Sequence, residues 1–179
     1  MFHVTERLLL RPAWPEDAEA LFGGIADQGV VRNLARAPWP YLPDHARQFV
    51  AREADPLYPK FLITRPGRGG SELIGCIGID PGEGGTELGY WIARPAWGQG
   101  FATEAGRGML EVASLLGHAH LHAGHFADNP ASGQVLRKLG FVPTGKSALR
   151  HSCGRGEEAE CVMYRFDLEA ETGPSLQAA

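Results

Sequence analysis

The chain has 179 residues with a net charge of −4, and 44% of its residues are hydrophobic and 21% charged. These values predict one globular domain with its own hydrophobic core, and they exclude a disordered or fibrous protein and an extended nucleic-acid surface. Three cysteines at irregular spacing and no apolar run of about 18 residues favour a reducing, cytoplasmic setting over a secreted or membrane-spanning one.

Hydrophobic periodicity and turn residues predict short strands and amphipathic helices in a mixed order along the chain. The predicted elements, in chain order, are a strand at 8–11, a helix that begins at Pro15, a helix at 44–54, strands at 60–64, 73–79 and 86–93, a helix at 100–116, a strand at 121–126, a helix at 130–139, and strands near 141–144 and 161–168.

This order predicts an α/β protein whose mixed (α+β) sheet has about six to seven mostly antiparallel strands and helices on both faces. One domain is expected over residues 1–168, followed by a flexible tail at 169–179. Gly106 and Gly108 lie inside the predicted helix at 100–116, where glycine is unfavourable, so we expect a close neighbour there.

Two glycines, Gly98 and Gly100, join the strand at 86–93 to the helix that follows it. Glycine lets successive backbone N–H groups face one point, where a helix N-terminus adds partial positive charge. Such a turn suits a pyrophosphate. A plain turn with no ligand explains the same residues, and a dinucleotide-binding fold would need a third glycine where Thr103 stands.

The run Trp97-Gly98-Gln99-Gly100-Phe101-Ala102-Thr103-Glu104-Ala105 resembles the coenzyme A loop of the GNAT acetyltransferases, particularly the RimJ/RimL-type branch. Trp97 stands where the wider superfamily usually has Arg or Gln. The segment 129–141, with its N-x-x-S and K-L-G-F patterns, and the opening residues 5–12 also match the family. The resemblance covers about residues 4–168 and implies a GNAT-like fold, acetyl-coenzyme A (acetyl-CoA) as cosubstrate and no metal.

The resemblance also implies where the cosubstrate binds. The expected coenzyme-binding residues are Trp91, Ile92, Ala93, Gly98, Gln99, Gly100, Phe101, Ala102, Thr103, Asn129 and Ser132. Asn129 precedes Pro130 and is also expected to cap the helix at 130–139, since asparagine followed by proline is typical of a helix start.

Amine acetylation requires a neutral amine, a stabilised carbonyl oxygen and a departing thiolate. Glu87 is the expected general base, because strand alternation places it on one face with Gly89 and Trp91. The resemblance places the thioester near residues 91–93, so backbone N–H groups there are expected to stabilise the oxygen. Ser132, from the N-x-x-S pattern of the family, is expected to bond the sulfur. Leu136 occupies the position where many GNAT proteins have a tyrosine acid.

The predicted function is therefore transfer of acetyl to a primary amine by direct attack in a ternary complex. Deprotonating an α-amine at pH 7 costs about 1.4 kcal/mol against about 4.6 kcal/mol for a lysine, which favours a protein N-terminus or a small weakly basic amine. Trp39 and Tyr41, with Trp14, are candidate acceptor-binding residues. A monomer or a homodimer is expected. The acidic net charge mildly favours a cationic acceptor. The alternative is a non-catalytic acyl-CoA-binding module.

Three other patterns suggest different chemistry. Residues 140–147 match the P-loop pattern G-x-x-x-x-G-K-S, although no helical periodicity follows. His118, His120 and His122 alternate and suggest a solvated strand face or a metal pair, and His125 falls on the opposite face. A proton-handling role for His122 or His125 in the cleft is a third alternative. Cys76 lies in an apolar strand and is expected to be a core residue.

Overall fold

The computed structural model describes residues 1–67, 70–82 and 84–168. Short 3-10 turns at Pro15–Asp17 and Arg94–Ala96 accompany the regular elements. The predicted tail at 169–179 lies outside the described residues. In chain order the elements are β1 (His3–Val4), β2 (Leu9–Arg11), α1 (Ala18–Ile25), α2 (Gln28–Val31), α3 (Pro43–Val50), β3 (Lys60–Gly67), β4 (Gly70–Gly82), β5 (Gly85–Ile92), α4 (Phe101–Leu115), β6 (His120–Phe126), α5 (Pro130–Leu139), β7 (Val142–Ser152) and β8 (Glu157–Asp167).

Within the described residues the strands form one eight-stranded sheet in the order β1-β2-β3-β4-β5-β6-β8-β7. All neighbouring strands run antiparallel except β5 and β6, which are parallel. The sheet is therefore mixed and mostly antiparallel, as predicted, but it has more strands than the six to seven expected. The additional strand is β1, which has two residues and carries no alternation long enough to detect.

Helices cover both faces of the sheet. On one face α4 and α5 bury Met109 and Leu136 against Ile77 and other core residues. On the opposite face α1 to α3 enclose a smaller core. A Cβ atom added to Gly106 would lie 2.5 Å from a Leu139 methyl carbon, so α4 and α5 can approach this closely only with glycine there. The predicted close neighbour is thus confirmed.

The parallel pair β5–β6 opens into a gap halfway along the sheet. The two strands are in register only at Thr86–Leu121 and Glu87–His122, after which β5 continues to Ile92 without β6 beside it. The remaining backbone groups on that edge of β5 are left available to a ligand. This gap determines the position of the candidate site.

The structure differs from the predicted elements at three places. Helix α2 was not predicted, and it exists because the Asp27 carboxylate caps it, accepting from Gly29 N at 2.7 Å. Helix α3 ends at Val50, four residues earlier than predicted. Strand β7 extends to Ser152, well beyond the predicted end at 144.

The extension of β7 also shows whether residues 140–147 form a P-loop. The G-K-S residues lie in this strand, at an irregularity in its pairing with β8, where Gly145 has a φ of +72°. A P-loop requires a helix directly after that sequence. The nucleotide-triphosphatase alternative is therefore wrong.

In the described part of the chain, no helix has both the length and the hydropathy needed to traverse a bilayer.

Candidate acetyl-transfer site

A cavity of about 830 Å³ passes through the gap between β5 and β6. At one end it is lined by the loop that precedes α4, including Gly98 and Gly100. Its middle is lined by Tyr90 of β5 and Ser132 of α5, and its other end lies over β4 and β5 below α3. One continuous space therefore connects the loop before α4 to the opposite face of the sheet.

The loop at 97–100 has the backbone geometry that its glycines predict. Gly98 has a φ of +73° and Gly100, the N-cap of α4, a φ of +82°. Because Gly100 has no side chain, the first N–H groups of α4 receive no side-chain cap. The indole Nε1 of Trp97 donates to the Ile92 carbonyl at 2.6 Å and holds the loop against the end of β5. These residues present uncapped N–H donors at the cavity mouth.

A second set of contacts holds the loop from behind. The Glu104 carboxylate accepts from the Thr5 hydroxyl at 2.6 Å and from Arg7 N at 2.7 Å, and it binds the Arg7 guanidinium. The same guanidinium donates to the Gln99 carbonyl at 3.2 Å. Burial favours a raised pKa for Glu104, but hydrogen bonds from Thr5 and Arg7 and the charge of Arg7 outweigh it and hold the pKa below its usual value. Glu104 thus stays ionised and fixed.

The direction of the backbone N–H groups at the end of β5 indicates which of them can stabilise the carbonyl oxygen. Ala93 N donates to the Ile74 carbonyl at 2.8 Å, so this N–H group is already hydrogen-bonded to β4. Neighbouring residues of a strand direct their N–H groups to opposite edges, so the N–H group of Ile92 faces the gap between β5 and β6. The carbonyl of Ile92 also faces that side, since Trp97 binds it. Of the predicted trio 91–93, Ala93 is therefore excluded as donor and Ile92 has the suitable orientation.

Tyr90 is a site residue that sequence reasoning missed. Its hydroxyl lies 2.7 Å from Ser132 Oγ and donates to the Ser132 carbonyl at 3.3 Å. Burial raises the pKa of Tyr90 to about 12, against a smaller lowering by the Ser132 hydrogen bond, so the phenol keeps its proton at neutral pH. The sequence offered a signal in the tyrosine that precedes Trp91, but its partner is on α5, 42 positions away.

Two predicted features of α5 differ in the structure. Asn129 is the N-cap residue, yet its side chain makes no capping hydrogen bond, so the predicted capping role is wrong. Its backbone φ of −117° and ψ of 66° lie outside the usual cap geometry. Asn129 lines the cavity instead. Leu136 is 1% exposed and belongs to the core below α5.

The Glu87 carboxylate lies in the cavity but is bound by an arginine. Arg150 of β7 donates to both of its oxygens, the longer contact being 3.3 Å between Nη2 and Oε2. Glu87 and Arg150 are 23% and 31% exposed at their side chains. The predicted base is therefore part of an ion pair. Its partner was not predicted, because two strands, β6 and β8, lie between β5 and β7 in the sheet.

The three aromatic candidates for acceptor binding are placed differently. Tyr41 is 8% exposed and lines the cavity. Trp39 is 41% exposed and Trp14 46% exposed, and neither lines it. The Trp14 ring packs instead under the guanidinium of Arg11, 4.0 Å away. Tyr41 therefore lies in the cavity, whereas an acceptor-binding role for Trp39 stays a prediction.

The histidines of β6 and Cys76 are the remaining candidates, and of these His125 and Cys76 line the cavity. The rings of His120 and His122 meet edge to face, 5.6 Å apart. Over the residues that the structure describes, no three His, Cys, Asp or Glu side chains cluster as metal ligands would. His125 is 9% exposed and bonds the Phe126 carbonyl at 2.9 Å. Cys76 is 7% exposed and packs in the core below α1 to α3, which confirms the predicted core position, and this burial raises the pKa of its thiol to about 12.

Comparison with known proteins identifies the class to which this fold and cavity belong. Residues 7–142 match the family described as acetyltransferase (GNAT) domain. An uncharacterized N-acetyltransferase of Bacillus subtilis (strain 168), YoaA, is 31% identical over 148 residues, which cover 79% of this chain and 82% of YoaA. The chain therefore belongs to the GNAT acetyltransferase family and is an acetyl-CoA-dependent acyltransferase.

Solved structures share the same fold. A GNAT-family acetyltransferase from Bacillus anthracis superposes with a TM-score of 0.79 at 23% identity, over 93% of this chain and 98% of that one. RimL, a ribosomal L7/L12 alpha-N-protein acetyltransferase solved with coenzyme A, gives a TM-score of 0.77 at 19% identity, over 96% of this chain and 100% of RimL. At these sequence identities, the likeness shows that the fold is shared and nothing further.

Proposed function

We propose that this protein transfers an acetyl group from acetyl-CoA to a primary amine by direct attack in a ternary complex, as a member of the RimJ/RimL-type branch. The observation that carries the proposal is the cavity itself, which leads from uncapped N–H groups at α4 through the β5–β6 gap to the opposite face of the sheet. A two-substrate transfer needs one space in which a cosubstrate and an acceptor can meet, and the extent of this cavity supports that arrangement.

The loop residues fit a pyrophosphate. A Cβ atom added to Gly98 would have nothing within 4 Å, so space is open in front of the loop. The backbone N–H groups from Gly98 to Thr103 would hold the two phosphates, assisted by the helix dipole. Asn129 and Ser132 would bond the pantetheine arm. The bound cosubstrate supplies an activated thioester, and all further steps depend on the chain's own groups.

Attack forms an N–C bond and breaks the C–S bond, with a proton lost from the amine and gained by the sulfur. The Ile92 N–H is oriented to stabilise negative charge on the carbonyl oxygen. Ser132 Oγ would donate to the departing sulfur, and the Tyr90 phenol orients that hydroxyl from behind. A thiol pKa near about 8.5 makes the thiolate a tolerable leaving group, so a hydrogen bond suffices in place of a strong acid.

Glu87 would accept the amine proton through a water molecule. Two donors of Arg150 occupy one lone pair on each carboxylate oxygen, and the remaining lone pairs can still accept from water. Any carboxylate is a much weaker base than an aliphatic amine. It therefore suits an amine that is close to neutral at physiological pH, such as the α-amine of a protein N-terminus or small molecule.

Glu87→Gln is expected to lower kcat at least about tenfold with an unchanged Kd for acetyl-CoA, because the amide keeps the shape but cannot take a proton. Steady-state kinetics with a basic and a weakly basic amine measure the change. The loss should shrink for the weakly basic amine, which needs less help. Glu72→Gln removes a comparable strand glutamate, paired with Arg65 outside the cavity, and is the matched control. Equal losses with both amines would remove Glu87 from the base role.

Tyr90→Phe is expected to lower kcat about threefold to tenfold, because Ser132 loses the hydroxyl that orients it. KM for acetyl-CoA should change little. The loss should be smaller with a thioester whose thiol is more acidic, since that leaving group needs less stabilisation. Tyr58→Phe, outside the cavity, serves as the control. A kcat that is insensitive to Tyr90→Phe would contradict this arrangement.

The function is tested by measuring thiol release from acetyl-CoA across a panel of small amines and N-terminal peptides. Mass spectrometry of the acceptor should show a gain of one acetyl group on nitrogen. Saturable acetyl-CoA binding without turnover on any amine would instead indicate a non-catalytic binding module. We also propose that the protein works in the cytoplasm, which is supported by the free state of Cys76, Cys153 and Cys161.

A further inference from the structure

The acceptor end of the cavity is lined by charged side chains from several elements. They are Arg36, Arg52, Lys60, Asp80, Glu87 and Arg150. Asp80 binds two of the cations, with Lys60 Nζ 2.6 Å and Arg36 Nη1 3.4 Å from the same Oδ1 oxygen. Glu87 binds Arg150. Asp80 and Glu87, the two carboxylates among these residues, are therefore each neutralised by a cation. The six residues together are called the charged wall of the cavity.

Arg52 remains as a cation that no carboxylate balances. Among the described residues it forms no ion pair, and its guanidinium carbon lies 5.6 Å from the centre of the Phe49 ring. Arg52 and Tyr41 both line the cavity. Burial raises the pKa of Tyr41, and the positive charge of Arg52 opposes that shift. Tyr41 packs in the same core as Cys76, the residue opposite Trp91 in the sheet. Arg52 itself is exposed, follows the end of α3 and lines the cavity at the end below that helix.

The local charge of this wall is positive, although the chain as a whole carries −4. A ligand inside a cavity responds to the charges that line it, and the low-dielectric walls strengthen that field. A second ammonium group on the acceptor would be repelled here, whereas a carboxylate would be attracted. A guanidinium can also bind a carboxylate through two parallel hydrogen bonds, which fixes its orientation.

We propose that the acceptor amine carries a carboxylate, which Arg52 binds while the amine faces the Ile92 edge of β5. This inference rests on the proposed function and specifies its substrate class. It contradicts the cationic acceptor that the net charge suggested. In the reaction the acceptor nitrogen forms the new amide bond and loses a proton, the C–S bond breaks, and the carboxylate stays unchanged as a binding group.

The test uses matched acceptors, namely amino acids and dipeptides each supplied as the free acid and as the carboxamide. We expect kcat/KM to be at least about tenfold higher for the free acids. Near an α-amine the carboxamide gives the weaker base, which is more often neutral, so amine basicity by itself would favour the carboxamide. A preference for the acid therefore reports recognition of the carboxylate.

Arg52→Gln is expected to raise KM for the free acids about tenfold and to leave both kcat and the Kd for acetyl-CoA unchanged. Arg52→Glu should reverse the preference towards the carboxamides. Arg107→Gln, an exposed arginine of α4 outside the cavity, is the matched control and should change neither value. Thermal melting of each variant checks that the fold is retained.

The possible outcomes distinguish failure of the carboxylate proposal from failure of the proposed acetyltransferase function. Equal or better acetylation of the carboxamides by the wild-type protein would overturn the carboxylate proposal and leave the acetyltransferase function standing. A preference for free acids that Arg52→Gln does not reduce would overturn the role of Arg52. No acetylation of any acceptor, with acetyl-CoA still bound, would overturn the proposed function and the carboxylate proposal together.

Discussion

Gly98→Val is expected to weaken acetyl-CoA binding about 100-fold, equivalent to about 2.7 kcal/mol. Gly98 holds a φ of +73° and faces open space at the cavity mouth. A β-branched residue is strained in this region of backbone space, and its side chain would occupy the position proposed for the phosphates. Isothermal titration calorimetry measures the effect as a change in Kd.

Gly117→Val is the matched control for that experiment. Gly117 has a φ of +80°, also with nothing within 4 Å of an added Cβ atom, but it follows α4 and does not line the cavity. The two substitutions should therefore cost similar amounts of stability, about 1–2 kcal/mol each. Similar Kd values for the two variants would show that the loop geometry does not matter for binding.

Gly89→Phe is expected to reduce acetylation about 100-fold and to leave acetyl-CoA binding nearly unchanged, because it obstructs only the acceptor's approach. Gly89 lies on the face of β5 between Glu87 and Trp91, and an added Cβ atom there has nothing within 4 Å. The backbone of Gly89 does not have positive φ, so phenylalanine fits a strand at this position without strain.

Two measurements on Gly89→Phe are decisive. Calorimetry should give the wild-type Kd for acetyl-CoA, and the kinetics of amine acetylation should show a raised acceptor KM and a lowered kcat. Gly89→Ala, which adds a single methyl group, should give a much smaller loss and shows whether the effect scales with volume. Full activity of Gly89→Phe would mean that the acceptor approaches by another route.

The backbone geometry of the turn before α4 could be predicted from sequence because it depends on neighbouring residues. Gly98 and Gly100 lie next to a strand end and a helix start, and both have the positive φ that such a turn needs. The same is true of the order of elements and the position of Cys76. Each depends on residues a few positions apart, whose spacing carries the information.

The rest of the site depends on contacts between distant residues. Glu87 and Arg150 are 63 positions apart, and they meet only because β7 and β8 are longer than their hydrophobic patterns indicate. The Thr5 hydroxyl reaches Glu104 across 99 positions. Asn129 has the residue type of a helix cap, yet its side chain is not used for that purpose. Residue type and spacing cannot determine such choices, because tertiary packing decides among several compatible partners.

The proposed function requires the pyrophosphate of the cosubstrate to bind at the loop before α4. A crystal structure of the complex with coenzyme A tests that position most directly. We predict diphosphate density within hydrogen-bond distance, about 3 Å, of the backbone N–H groups of residues 98–103, with the pantetheine arm in the gap between β5 and β6. Diphosphate density elsewhere, with the loop packed shut against the end of β5, would contradict the proposed site.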